Sequence, residues 1–359
     1  MVQTLARCRY CGLPGKVAEN MVWYPNGTIV LRRSKGLRVA ILDIETMRDI
    51  HAALEAEMGA DALWVTVRNA TRFITGKSLA GLKGKLSRYG VIKKRVLEAI
   101  EDHSLLLGMG RIEVEKFTPA MGGAMLLRRP FDIEIATAGI TGVLEEVDHC
   151  PYKYGLSEGG EDSYRLLLEL AEVDDYDAQS LRGIPFFMRA TTGGEKAAVC
   201  NQCGLPSSVA ELQWDELYGT VDAGAGGRRV AFIPGYIISA LTHHKSASDE
   251  GRCRRLVEEA VYVSARRSFE GGPADAYEGE RLLPREGSSS AAWERLRVRG
   301  WGAVVEESIA EEGWRVTVLN PVDKALIAGW LRALYTVTVG REAQVEVREE
   351  PPVSFFEMG

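Results

Sequence analysis

The chain has 359 residues, 46% hydrophobic and 26% charged, with a formal net charge of −6. That length exceeds one ordinary core and fits two domains. The negative balance excludes a global pull toward nucleic acid or an anionic membrane, and no apolar run approaches the 18 or so residues of a membrane span. The opening Met1-Val2-Gln3-Thr4-Leu5-Ala6 lacks a hydrophobic signal core. Six cysteines in so long a chain suit a reducing compartment better than a disulfide framework, so the expected location is the cytoplasm.

The first feature in chain order is Cys8-Arg9-Tyr10-Cys11-Gly12-Leu13-Pro14, which returns 192 residues later as Cys200-Asn201-Gln202-Cys203-Gly204-Leu205-Pro206. Two thiols two residues apart and followed by Gly have the shape of a metal knuckle. The loop presents both sulfurs to one ion, and Gly accepts the tight backbone that turns amides toward them. Together the copies supply the four thiolates of a closed tetrahedral shell. The pattern predicts one structural Zn2+ held by Cys8, Cys11, Cys200 and Cys203, clasping the two halves. No position is left for water, so such a metal holds structure and does not catalyse. Arg9 and Lys16 would offset the excess negative charge. Iron in a rubredoxin-like shell, and thiol pairs shared with a second subunit in a homo-oligomer, stay open. Redox-active thiols fit less well, because those sit at the start of a helix and here Pro14 and a hairpin follow.

After each knuckle comes a hairpin. Trp23 precedes Asn26-Gly27-Thr28, where both turn positions call for positive φ, and Trp214 precedes Gly219-Thr220. Arg38-Val39-Ala40-Ile41 then answers to Arg229-Val230-Ala231-Phe232, which predicts an internal duplication. Thr46 reads as the N-cap of a helix that stops at Gly59, and Asp61 opens a second with Leu63, Val67, Ala70 and Ile74 on one face. Residues 77–95 are basic and read as a solvated helix face or loop. Residues 271–290, rich in Gly, Pro and Ser, read as a mobile loop.

Each half then becomes rich in strands, at Arg111–Glu115, Ala303–Glu307 and Trp314–Val318. Asn320-Pro321-Val322-Asp323 reads as a helix start with Asn320 at the N-cap; Gly340 closes that helix. The pairs Ala138-Gly139 and Ala328-Gly329 predict close approach by another backbone or by a ligand. Tyr164–Leu170 and Ala343–Val347 read as the closing strands, residues 174–192 as a linker, and the tail from Pro351-Pro352 as frayed.

The segments from Gly108-Met109-Gly110 to Leu170 and from Gly300-Trp301-Gly302 to Val347 resemble the 4-vinyl-reductase-like domain. The Gly-x-Gly before an alternating strand, Asn320-Pro321 before a helix with Ala328-Gly329, and the final strand rich in Glu and Val carry the resemblance. It implies an α+β sheet backed by helices around an apolar pocket, and kinship to the TRAPP tethering subunits and to sensors of aromatic molecules. The zinc cysteines that some sensor members carry late in the domain are not matched; only Cys150 stands there. The expected architecture is therefore α+β in two duplicated halves. Residues 1–180 hold a knuckle at 8–44 and a sheet domain at 45–173; residues 181–359 hold a knuckle at 198–235 and a sheet domain at 249–349.

Arg72 and Arg267, beside Phe73 and Phe269, are the polar candidates for orienting a small hydrophobic or aromatic ligand, with Trp314 and Trp330 as pocket wall. A structural ion pair for the arginines and core packing for the rings are the plainer alternatives. Thr71–Ser78 fails as a phosphate loop, since Thr71 stands where Gly is required. His51 and His103 read as structural, and Cys150 and Cys253 as unpaired thiols. With no Ser-His-Asp set and no distinctive carboxylate pair, the expected role is a zinc-containing ligand-binding sensor, carrier or accessory factor. An enzyme acting on an aromatic or tetrapyrrole-like substrate between the halves is the alternative, and a protein–protein scaffold the third.

Overall fold

The structure, a computed structural model, describes residues 6–32, 37–80, 89–182, 184, 186, 199–223, 228–244, 251–271, 291–310 and 313–359. It is a mixed α and β protein with three antiparallel sheets among the described residues. The first knuckle leads into a short helix Gly15–Asn20 (α1) and the strands Met21–Tyr24 (β1), Thr28–Leu31 (β2) and Arg38–Asp43 (β3). Helices Ile44–Met58 (α2), Ala60–Leu79 (α3) and Tyr89–Leu107 (α4) follow. Strands Arg111–Thr118 (β4) and Gly122–Arg128 (β5), helix Ile133–Asp148 (α5), and strands Tyr152–Gly160 (β6) and Ser163–Leu170 (β7) complete the first half.

The second half runs in the same order. A 3-10 turn Ser207–Glu211 stands in the place of α1, before Leu212–Asp215 (β8), Thr220–Ala223 (β9) and Arg228–Pro234 (β10). Helices Gly235–Thr242 (α6), Arg252–Gly271 (α7) and Ala291–Val298 (α8) precede Ala303–Ala310 (β11) and Gly313–Leu319 (β12). Helix Lys324–Val339 (α9) and strands Val345–Glu350 (β13) and Val353–Met358 (β14) close the chain. Among the described residues no helix is long and apolar enough to cross a membrane.

The two hairpins join into one six-stranded sheet, β1-β2-β3-β10-β9-β8, through an antiparallel β3–β10 seam. Ile41 pairs with Phe232, the residue 191 positions on, at the middle of this seam. Strand alternation splits the seam between two cores. Ala40, Leu42, Ala231 and Ile233 face the helices, whereas Val39, Ile41, Val230 and Phe232 face the knuckles, Trp214 and the end of α4. The other two sheets share one spatial order, β4-β5-β7-β6 and β11-β12-β14-β13, with β6 and β13 at the edges.

The halves interlock. Helix α2 packs on α7, and α6 on α3. Each hairpin tip docks on the opposite half's Gly-x-Gly: Gly110 N–H donates to Gly219 O at 2.9 Å, and Gly27 abuts the backbone of Gly302. Trp23 Nε1 donates to Val298 O and Trp214 Nε1 to Leu106 O. Buried Arg38 donates to the carbonyls of Gly300, Asn320 and Pro321, while Arg229 reaches Arg129 and Pro130 in the same manner. A buried backbone turn leaves unpaired carbonyls, and a guanidinium fork satisfies several at once.

Several local expectations change. The first hairpin turns through Pro25-Asn26-Gly27, and of Asn26 and Gly27 only the glycine has positive φ, at 75°. The N-cap of α2 is Asp43, one turn before Thr46, and Thr46 spends its hydroxyl on Ser264 at 2.9 Å. The cap of α9 is Asp323, which accepts from the amides of Ala325 and Leu326; Asn320 instead takes a left-handed turn with φ 50°. Gly340 closes the helix as expected, at φ 77°. The partner of Gly329 is a helix backbone, Glu258 O of α7, and in the first half Gly142, not Gly139, meets α3 at Arg68 O. The tail is not frayed. Pro351 and Pro352 turn β13 into β14, whose Phe356 and Met358 are core residues, so β14 and not residues 343–347 is the counterpart of β7. The basic stretch 77–95 is helix at both ends, with 81–88 outside the described residues, as are 272–290 of the Gly-, Pro- and Ser-rich stretch.

Candidate metal centre and the predicted pocket residues

The knuckles are built alike. Cys8 N–H donates to Leu13 O at 2.7 Å and Gly12 N–H to Cys8 O at 2.9 Å; Cys200 N–H donates to Leu205 O and Gly204 N–H to Cys200 O, both at 2.8 Å. Gly12 and Gly204 sit at φ 74° and 73°, a conformation open to Gly at little cost. Leu13, Val17, Leu205 and Val209 plug each knuckle into the core beneath the six-stranded sheet. Both loops pack into the same core below the seam and emerge side by side.

The sulfurs therefore converge. Cys8 Sγ lies 3.9 Å from Cys200 Sγ and Cys11 Sγ 3.5 Å from Cys203 Sγ, with all four ligand atoms within 4.8 Å of one another. Zinc–sulfur bonds of about 2.3 Å require a tetrahedral edge of about 3.8 Å, so the set fits a closed thiolate shell. All four cysteines are free, and these separations far exceed the roughly 2.05 Å of a disulfide bond. The amides of Cys11 and Tyr10 pull the Cys8 thiol down, and those of Cys203 and Gln202 bring Cys200 to about 7. Burial pushes Cys203 up and Cys11 to about 12. Without a cation the cluster keeps protons; a bound divalent ion would replace them and release them to solvent.

Of the basic residues near the cluster, Arg9 lies within the first knuckle, between Cys8 and Cys11. Lys16 is paired with Asp102 on α4 at 3.2 Å. Arg7 does the bridging between halves: its guanidinium donates to Gly12 O and meets Glu216 at the opposite hairpin at 3.3 Å.

The predicted pocket residues do not gather in one place. Arg72 is buried and makes a two-pronged pair with Asp174 at 2.7 and 2.8 Å, with the Tyr176 ring stacked on it at 4.3 Å. Its neighbour Glu145 is fully buried, 3.6 Å from both Arg72 and Arg68. Arg267 is an exposed partner of Asp49. Phe73 packs on Phe186 at 5.5 Å in a small core with Leu181 and Ala240. Phe269, Trp314 and Trp330 share a different one: Phe269 meets Trp330 at 5.7 Å, and Trp293 lies between Trp330 and Trp314. Glu307 accepts from the indole N–H of both Trp293 and Trp314 at 2.9 Å. Ion pairs and core packing thus account for these residues in the structure.

One constellation was not visible in the sequence. His51, on α2, places Nδ1 2.5 Å from Asp132 and Nε2 2.9 Å from Glu134, at the start of α5. Burial works against its charge, but the hydrogen bonds and charges of Asp132 and Glu134 prevail and raise it to about 9. No periodic signal links residues 81 and 83 positions apart. His103 bonds to its own helix at Ala99 O, and Cys253 is buried near Met58. No family model matches the chain, and no curated protein and no solved structure does either.

Proposed function

We propose that this chain is an internally duplicated α+β protein whose halves are clasped by one structural Zn2+ on Cys8, Cys11, Cys200 and Cys203. In this reading each half couples a knuckle and hairpin to a 4-vinyl-reductase-like domain. The protein acts as a small-molecule-binding sensor, carrier or accessory factor. The observation that carries the reading is the convergence of four thiols, two from each half, within 4.8 Å. Zinc would fill all four positions with sulfur and supply cross-linking, not Lewis-acid chemistry. The repeated element order, the Ile41–Phe232 seam and the matching order of the two smaller sheets support the duplication. The enzyme alternative draws less support, since Arg72 and Arg267 are both engaged by carboxylates.

Elemental analysis of the purified chain tests the clasp, with one zinc per chain expected. Two metals, or none after refolding with zinc present, would overturn it. A visible sulfur-to-iron absorption would replace zinc by iron. Native mass spectrometry then tests the ligand-binding role. A copurified small apolar or aromatic molecule supports it, whereas an empty interior that takes up no such molecule favours the scaffold.

A further inference from the structure

A cleft of about 280 Å3 opens where the two halves meet at the start of α5. Its walls include Arg48 and His51 from α2, Arg129 from the turn before α5, Asp162 and Tyr164 from the β6–β7 hairpin, and Arg229 from β10. We propose that this cleft is a binding site for a small oxyanion, a carboxylate or phosphate group, gripped by Arg48 and Arg129. The inference gives the ligand-binding reading above a place and a chemical class, and rests on it.

His51 lies between Asp132 and Glu134, and its single positive charge offsets one of those two carboxylates. Three guanidiniums remain, against the uncompensated charge of that carboxylate pair and Asp162, which leaves the lining with one positive charge in excess; Asp222 acts on Arg229 from outside it. Asp162 lies 4.0 Å from Arg129, at the limit of an ion pair, and the Arg129 guanidinium rests 4.0 Å over the Tyr218 ring. Arg48 is exposed and has no carboxylate partner among the described residues. Arg229 is committed to two backbone carbonyls, and burial together with the charge of Arg48 lowers it to about 10. Cations held this close repel one another, and an anion between them relieves that repulsion. Guanidinium forks match the paired oxygens of carboxylate and phosphate.

The second half supplies the control. The residues 191 positions after Arg48, His51, Arg129 and Asp132 are Ser239, Thr242, Asn320 and Asp323. All four are buried there, and Thr242 Oγ1 donates to Asp323 at 2.8 Å, doing for that cap what His51 does for Asp132. The same frame therefore closes without Arg48, without Arg129 and without the histidine. Packing at the helix start does not require these cations, and they appear only where the cleft is open. Its volume, at the low end for ligand pockets, suits a small molecule.

Calorimetric titration of the zinc-loaded full chain with inorganic phosphate and with benzoate tests the proposal. Binding of phosphate alone points to a phosphate ester, and binding of benzoate alone to an organic acid. Arg48→Ser and Arg129→Asn each install the residue of the second half, and Asn suits the positive φ of 45° at position 129. Each is expected to weaken binding about tenfold or more, the loss of a charge-assisted contact, with an unchanged unfolding midpoint in ligand-free buffer. No binding of either probe at about 1 mM, or binding that both variants leave intact, would overturn the site. A copurified apolar molecule found elsewhere would then still leave the ligand-binding reading standing.

Discussion

Replacing Gly27 by alanine probes how the halves are joined. At φ 75° the backbone is left-handed, and a Cβ built there falls 2.1 Å from the Gly302 carbonyl carbon, 2.2 Å from its oxygen and 2.5 Å from the Ala303 nitrogen. Ordinary contact is about 3.5 Å, so the overlap exceeds 1 Å and is with main chain, which cannot rotate aside. Gly12 provides the matched control, because its φ is 74° but nothing lies within 4 Å of the built atom. Gly12→Ala should cost only the left-handed penalty, about 1–2 kcal/mol. Gly27→Ala should add an overpacking cost of about 1–3 kcal/mol, for a total of about 3 kcal/mol or more. Urea unfolding of the zinc-loaded protein, followed by tryptophan fluorescence, measures both. If Gly27→Ala proves no more damaging than Gly12→Ala, the hairpin tip does not rest on the opposite half and the interlock is wrong.

Removing the metal with a strong chelator should lower the unfolding free energy by several kcal/mol, and Cys203→Ala should abolish stoichiometric zinc; an unchanged midpoint in both would remove the clasp. The folded-state value of His51, about 9, lies above the ordinary 6.5. Its contribution, on the order of 3 kcal/mol, is therefore complete below pH 6.5 and lost as pH rises through 9. His51→Thr should flatten that part of the stability profile, and an equal fall in the variant would refute the assignment. Arg72→Ala should cost about 3 kcal/mol, since it removes one of the two guanidiniums beside the buried Glu145 and leaves Asp174 without its two-pronged partner. Arg267→Ala, on an exposed pair, should stay within about 1 kcal/mol in the same denaturation assay.

Features written in neighbouring residues were legible. Cys8-x-x-Cys11-Gly12 and its second copy are local loops, and their glycines take the left-handed turns the motif requires. The apolar stripe of α3 and the Gly340 stop are likewise local consequences of helix geometry. Misreadings arose where two local signals competed. Asn320 and Asp323 are both good caps, and the choice fell to Asp323 because Arg38 of the other half fixes the Asn320 turn. The Pro351-Pro352 pair looked like an ending because nothing nearby shows that β12 awaits a partner.

The sequence by itself determined the two knuckles, their thiol ligands and the repeated order of helix and strand, since each depends on chemistry within a few bonds. Only the tertiary structure decided that the sulfurs meet, that Arg72 and Arg267 have different surroundings, and that His51 faces Asp132. Those outcomes depend on the β3–β10 seam and the exchange of hairpins between halves, which bring together side chains 80 to 190 or so residues apart. No periodicity in a chain encodes such a distance, because burial and charge pairing act through space.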